Sequence, residues 1–224
     1  MRHHKEQSRE LLTPRLALEF LRDGNSRFCK NISYNRDNQQ IIMETAAGQW
    51  PFAAVLNCSD SRVATELIFD QGLGDIFSIR LAGNVASPEA IASLEYTCKV
   101  LGSKLIVVLG HTNCGAVSAA CNSVQMGNLD ALLKHINPAI EAEKETLNDR
   151  NGSNKVFLNN VLHNNVHVQI ESIINGSEII RELIQNQQIG IIGGMYDIST
   201  GGVEFFDELF DLEQYNVSAG QETI

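Results

Sequence analysis

The sequence predicts an α/β fold: a mainly parallel central sheet of about four strands flanked by helices, with an N-terminal helical arm. Two observations carry that prediction. Four short runs, beginning at Phe52, Asp75, Lys104 and Ile189, are apolar along most of their length instead of alternating, as strands covered on both faces are. Each is separated from the next by stretches of helical periodicity, the arrangement that produces parallel strands with crossover helices.

The elements follow in order. Thr13 to about Lys30 reads as a helix, with Thr13 as N-cap, Pro14 at the first helical position and Leu16, Ala17, Phe20 and Leu21 on one stripe. Gly24-Asn25 is expected to interrupt it. A second helical stretch, about Ile41 to Ala47, leads to Gly48. The first strand, Phe52 to Cys58, ends in a Ser-Asp-Ser-Arg turn, with a helix expected from Val63 to Asp70. Asp75 to Leu81 is the second strand, and a helix from Ser87-Pro88 to Leu101 follows. Lys104 to Gly110 is the third, almost wholly apolar, and Gly115 to Met126 reads as helical. The polar stretch between about Ala142 and Asn154 reads as a loop between long helices. Helices over Val156–Ile174 and Ser177–Gln187 lead into the last strand, Ile189 to Tyr196. One domain over residues 1–224 is therefore expected, with an arm at about 1–47 and an α/β core at 48–224.

Length and composition agree with a globular chain. At 224 residues, 43% hydrophobic and 20% charged, it can bury a core without disulfides. Lys and Arg number 17 against 27 Asp and Glu, a net charge of −10, which argues against a nucleic-acid partner and against adhesion to an anionic membrane. The first thirty residues hold no continuous apolar stretch of the kind a signal peptide needs, and no window of eighteen is apolar enough to span a bilayer. A reducing cytoplasm is the expectation, and there the five cysteines are read first as metal-binding or catalytic. His3 and His4 carry no functional weight.

In an open parallel sheet, ligands collect at the carboxyl ends of the strands. The first strand ends in Cys58-Ser59-Asp60-Ser61-Arg62 and the third in His111-Thr112-Asn113-Cys114-Gly115. If those strands are near neighbours, Cys58, His111 and Cys114 converge with room for a fourth ligand. Two thiolates and an imidazole suit Zn²⁺ in tetrahedral geometry. Cys29, Cys98 and Cys121 sit inside helical patterns and read as small hydrophobes. His135, His163 and His167 read as surface or helix-packing residues, and Asp70 and Asp75 as residues that cap or solvate their turns.

These residues match a family. C-x-D-x-R at Cys58–Arg62, followed by H-x-x-C at His111–Cys114, resembles the β-class carbonic anhydrases. Leu18–Phe28 looks like that family's L-x-x-G-N-x-R-F helix, and Gly48-Gln49-Trp50-Pro51 is similar to its G-Q-x-P segment. Phe77–Asn84 is similar to its F-x-x-R-x-A-x-N strand, and Tyr196–Gly201 to its terminal Y-D-x-x-T-G. The likeness runs from about residue 15 to 206.

The resemblance implies reversible hydration of CO₂ to bicarbonate and a proton, by attack of zinc-bound hydroxide. Cys58, His111 and Cys114 would hold one zinc per chain, with water or hydroxide in the fourth place. Asp60, paired with Arg62, would accept a hydrogen bond from that hydroxide and orient it; in a closed state Asp60 would instead become the fourth ligand. Gln49 would bind substrate across a subunit boundary, and Gly115 would offer its backbone N–H or simply permit the turn. Phe77 and Ala82 would wall the CO₂ pocket or serve as strand core. A bicarbonate-inhibited subgroup has a Trp three residues before the first Cys; Arg80 and Tyr196 match that subgroup, but the Trp position is Val55. A homodimer or dimer of dimers is implied, with the arm embracing a second subunit. The competing readings are hydrolysis of a CO₂-like heterocumulene such as carbon disulfide, a permanently closed zinc-binding protein, and a Cys58–Cys114 redox pair.

Overall fold

The computed structural model describes residues 11–206, so His3 and His4 lie outside the described residues. The chain runs α1 (Pro14–Cys29), α2 (Asn38–Thr45), β1 (Ala53–Asn57), α3 (Thr65–Ile68), β2 (Ile76–Arg80), α4 (Pro88–Tyr96), β3 (Leu105–His111), α5 (Gly115–Cys121), α6 (Leu129–Leu133), α7 (Asn137–Ala142), α8 (Lys155–Gly176), α9 (Glu178–Gln185), β4 (Gly190–Tyr196) and β5 (Val203–Phe205). The sheet has five strands in the order β2-β1-β3-β4-β5. β1 pairs in parallel with both β2 and β3, and β3 with β4; β5 runs antiparallel to β4.

The fifth strand corrects the expectation of four. Val203-Glu204-Phe205 is three residues long and exists by pairing with the end of β4, which no local pattern announces.

Every residue of β1, β3 and β4 is buried, as their unbroken apolar runs require. Alternate side chains feed two cores. Ala54, Leu56, Ile106, Val108 and Ile191 pack with α4, α5, α8 and α9 on one face. Ala53, Val55, Leu105, Val107, Leu109 and Ile192 pack with α1 and α3 on the other.

The arm departs from expectation in an informative way. Thr13 caps α1 as predicted, its Oγ1 accepting from Leu16 N at 3.1 Å. Gly24-Asn25 does not interrupt the helix. A Cβ on Gly24 would lie 1.7 Å from the Phe69 carbonyl oxygen, so glycine lets α1 close on the backbone after α3. Asn25, buried, then stitches the helix down: Nδ2 donates to the carbonyls of Ile68 (3.1 Å) and Gly201 (2.8 Å), and Oδ1 accepts from Val203 N (2.9 Å). α1 therefore packs on its own chain.

Four further expectations are corrected. The helix after β1 is one turn, α3, because the 58–64 segment is held as a loop. α5 stops at Cys121, two residues before Ser123 takes a left-handed φ of 52° that a helix does not allow. The polar stretch after residue 142 follows a single short helix, α7, and folds around buried Glu143, which accepts from Thr146, Arg150 and Asn160. Asp70 is not a solvated turn residue: its buried carboxylate takes Arg27 Nε at 2.5 Å and Arg36 Nη1 at 2.5 Å. Asp75 does cap its turn, accepting from Gly72 N at 2.8 Å.

Among the cysteines, Cys98 and Cys121 are buried as expected, and burial pushes their thiols up to about 12 and about 11. Cys29 is exposed, which corrects its assignment to the core. His135, His163 and His167 lie on the surface, the latter two stacking on Phe206 with ring centroids 5.6 and 4.9 Å apart. Among the described residues, no helix is long and apolar enough to cross a membrane.

Candidate metal centre

From β1 the chain steps outward to β2, then returns to the opposite side of β1 as β3. The direction of winding reverses there, and the carboxyl ends of β1 and β3 lie side by side with Asn57 opposite Leu109. Cys58 follows β1 directly, His111 is the last residue of β3, and Cys114 is the N-cap of α5. Adjacency that the sequence left conditional is thereby met. One ligand atom from each of Cys58, His111 and Cys114 lies within 4.8 Å of the others, all three residues being buried. The two sulfurs are 3.8 Å apart.

His111 supplies the test of whether a metal fits. Its ring is fully buried. Nδ1 lies 2.9 Å from the Thr112 carbonyl, which only accepts, so Nδ1 carries the proton and Nε2 presents a lone pair. That Nε2 is buried and has no hydrogen-bond partner. An orphaned imidazole nitrogen beside two thiols, its tautomer set by a backbone carbonyl, is a donor set that could hold a metal ion and whose chemistry fits zinc.

The electrostatics agree. The Cys58 thiol is lowered, chiefly by its hydrogen bond with Cys114 and further by the N–H groups of Asp60 (3.4 Å) and Gly83 (3.3 Å). The Cys114 thiol is raised by the same partner and by burial. Without a cation, one negative charge is stable in this space and a second is not.

Asp60 is not part of the cluster. Arg62 holds its carboxylate below the usual range through a two-pronged ion pair, Nε to Oδ1 at 2.9 Å and Nη2 to Oδ2 at 2.8 Å. The predicted pairing is therefore present. Gln49 is exposed between α2 and β1. Gly115 opens α5; a Cβ there would meet nothing within 4 Å, so the turn does not depend on glycine for space. Phe77, half-buried, pairs with Ala54 in the β1–β2 register and packs on Tyr96 with rings 6.3 Å apart. Val55 is fully buried in the same core as Tyr196.

Two contacts escaped sequence reasoning. Arg80 donates to the carbonyls of Cys58 (3.2 Å) and Asp60 (2.6 Å), pinning the loop from β2. Asn57, fully buried, ties the loop's far end by donating to the Val63 carbonyl (3.0 Å) and Thr65 Oγ1 (2.8 Å). The segment Arg80–Asn84 was legible as a motif, but nothing in it said that Gly83 N–H would reach Cys58.

Comparison with known proteins decides the family. The carbonic anhydrase family model matches residues 53–203, which include every residue of the cluster. Carbonic anhydrase 2 of Mycobacterium tuberculosis is 36% identical over 202 residues, covering 88% of this chain and 94% of that protein. The chain belongs to the β-class carbonic anhydrase family. A tetrameric β-carbonic anhydrase of Sordaria macrospora superposes with a TM-score of 0.66 at 26% identity, over 76% of this chain and 88% of its own. The Coccomyxa β-carbonic anhydrase gives 0.70 at 24% identity over 79% and 81%, a likeness of fold alone. The five-stranded, mainly parallel sheet flanked by helices is thus the family's fold.

Proposed function

We propose that this protein catalyses the reversible hydration of CO₂ to bicarbonate and a proton, with one zinc ion per chain held by Cys58, His111 and Cys114. The observation that carries this reading is the buried, unpartnered His111 Nε2 facing two sulfurs 3.8 Å apart. A zinc ion held there supplies the Lewis acidity that makes hydroxide available near neutral pH.

The chain's own groups do the rest. Asp60, ionised and fixed by Arg62, would accept a hydrogen bond from the nucleophile and so turn its free lone pair towards the carbon of CO₂. Attack on CO₂ would form the new C–O bond as one C=O π pair moves onto oxygen, giving bicarbonate, and the proton lost in making hydroxide would leave to solvent. Held by Arg62, the Asp60 carboxylate is kept off the three-residue cluster, which would leave the bound metal accessible to the reacting oxygen. Phe77, packed against the apolar cluster that includes Cys58 and Cys114, would wall the CO₂ pocket together with Ala82, and the Gly115 backbone N–H is assigned to substrate.

The remaining assignments are extensions of the family reading. The described residues 11–206 are proposed to form a single unit, an N-terminal arm up to residue 47 followed by an α/β core from residue 48. A homodimer or dimer of dimers in the cytoplasm is proposed, supported by the tetrameric Sordaria relative, with Gln49 serving a neighbouring subunit's substrate.

Stopped-flow CO₂ hydration on zinc-quantified protein, scanned from about pH 7 to 9, tests the proposal. Turnover rising with pH at one zinc per chain is expected. Zinc-loaded protein without turnover across the range would overturn it.

A further inference from the structure

Helix α8 carries two buried carboxamides outside the metal cluster that nonetheless reach towards it. Asn165 and Gln169 are 1% and 0% exposed and stand one turn apart on the same face. Gln169 Nε2 donates to Asn165 Oδ1 at 2.9 Å and to the His135 carbonyl at 3.0 Å, while Gln169 Oε1 accepts from Ala86 N at 2.9 Å. Asn165 Nδ2 donates to the Gly83 carbonyl at 2.9 Å. The outer partners are backbone groups that can only donate or only accept, so the orientation of both amides is determined.

The other end of Gly83 faces the cluster: its N–H donates to Cys58 Sγ at 3.3 Å. Gly83 sits at φ 69°, and a Cβ on it would lie 2.8 Å from Ile136 Cδ1. Gly83 and Asn84 (φ 47°) are both left-handed, and the Asn84 N–H closes the turn on the Leu81 carbonyl at 2.9 Å. α8 tethers this turn to its own rigid frame at two points, the Gly83 carbonyl and the Ala86 amide.

We infer that Asn165 and Gln169 are positioning residues for the metal centre, holding the Gly83–Ala86 segment so that Gly83 N–H bonds the Cys58 sulfur. This rests on the zinc reading above. An N–H···S bond fixes the direction of the sulfur and draws electron density from the thiolate. The thiolate then donates less to the metal, which keeps more of its Lewis acidity despite two anionic ligands. The chain of bonds runs Gln169, Asn165, Gly83, Cys58, and each member is neutral until the thiolate.

Cobalt and cadmium substitution of the full-length protein test the inference without relying on turnover. Asn165→Ala is expected to weaken cobalt and zinc affinity, measured by chelator competition, about 10-fold, and to shift the thiolate-to-cobalt charge-transfer band. Val161→Ala, on the same helix and fully buried, is the control: it truncates the core yet leaves affinity and band as in wild type. Asn165→Ala with wild-type affinity and band would overturn the inference. Should that variant fail to fold, Gln169→Met carries the same expectation and the same refutation. In the wild type loaded with cadmium-113, the Gly83 amide proton is expected to show scalar coupling to the metal through Cys58; its absence would also overturn the inference. A wild type that takes up neither metal would instead refute the zinc reading itself.

Discussion

Arg62 engages Asp60 at both carboxylate oxygens, and its own backbone N–H reaches Oδ1 at 3.0 Å as well. Three donors thus hold a carboxylate that is only two residues from Cys58 and outside the ligand cluster. The Arg62 side chain is 52% exposed, so this pair contributes little to stability. Its worth lies in where it keeps the carboxylate.

Removing the fork should therefore cost turnover more than fold. Arg62→Ala is expected to retain zinc and melt as wild type does, while CO₂ hydration falls roughly 10- to 100-fold. Arg62→Lys keeps the charge but not the two-pronged geometry, and should recover only part of the loss. Stopped-flow rates per bound zinc decide the matter; wild-type rates in Arg62→Ala would count against a role for the pair. Since the pair lowers the Asp60 pKa, the carboxylate should stay ionised at every pH above about 4, which carbon-detected NMR titration of Asp60 can check.

The cluster residues make a sharper prediction. Cys58→Ser or Cys114→Ser should lose zinc and activity together, since each removes one of three anchoring donors. Cys121→Ser, away from the cluster, should keep its zinc. Zinc-to-protein ratios from elemental analysis of the three purified variants provide the comparison, and full occupancy in either cluster variant would refute the ligand assignment.

Asp70 makes the corresponding prediction for stability. Burial opposes its ionisation, but hydrogen bonds from Arg36, Arg27 and the Tyr34 N–H outweigh that and lower its pKa. A pKa lowered by folding adds stability above the unfolded value near 3.9, and that stability is lost as pH falls through the folded value. Asp70→Asn strands two guanidinium groups and should cost about 3 kcal/mol at pH 7. Denaturant melts should show the gap between wild type and variant closing as the pH drops below about 4. A gap that widens on acidification would reverse the sign and refute the argument.

Gly24 tests the docking of the arm. Gly24→Ala places a methyl 1.7 Å from a carbonyl oxygen of the backbone, which no rotamer change can relieve. A loss of about 3 kcal/mol in chemical denaturation is expected, against the gain in helix propensity that alanine brings elsewhere. A more stable variant would mean that α1 does not sit on the Phe69 segment.

Much of this was legible because the signals were local. Pro14 after Thr13 marks a helix start wherever it occurs, and the runs Phe52–Cys58 and Lys104–Gly110 announce buried strands by composition alone. The ligand residues stood at the ends of those strands, so their place in the fold came with the strands themselves. What escaped was non-local. Val203–Phe205 is a strand because β4 offers it an edge, and Asp70 is buried because Arg27 and Arg36 arrive from the arm. Gly24 looked like a helix breaker because a missing side chain reads the same whether it frees a chain or admits a neighbour.

The sequence by itself determined the class of fold, the types of metal donor and their positions along the chain, since periodicity and composition act over a few residues. Only the tertiary structure decided that β1 and β3 are neighbours, that the His111 Nε2 is left without a partner beside two sulfurs, and that Gly83 and α8 stand behind Cys58. Those are relations between segments tens of residues apart, and chain entropy leaves them open until the buried surfaces of the whole sheet select one arrangement.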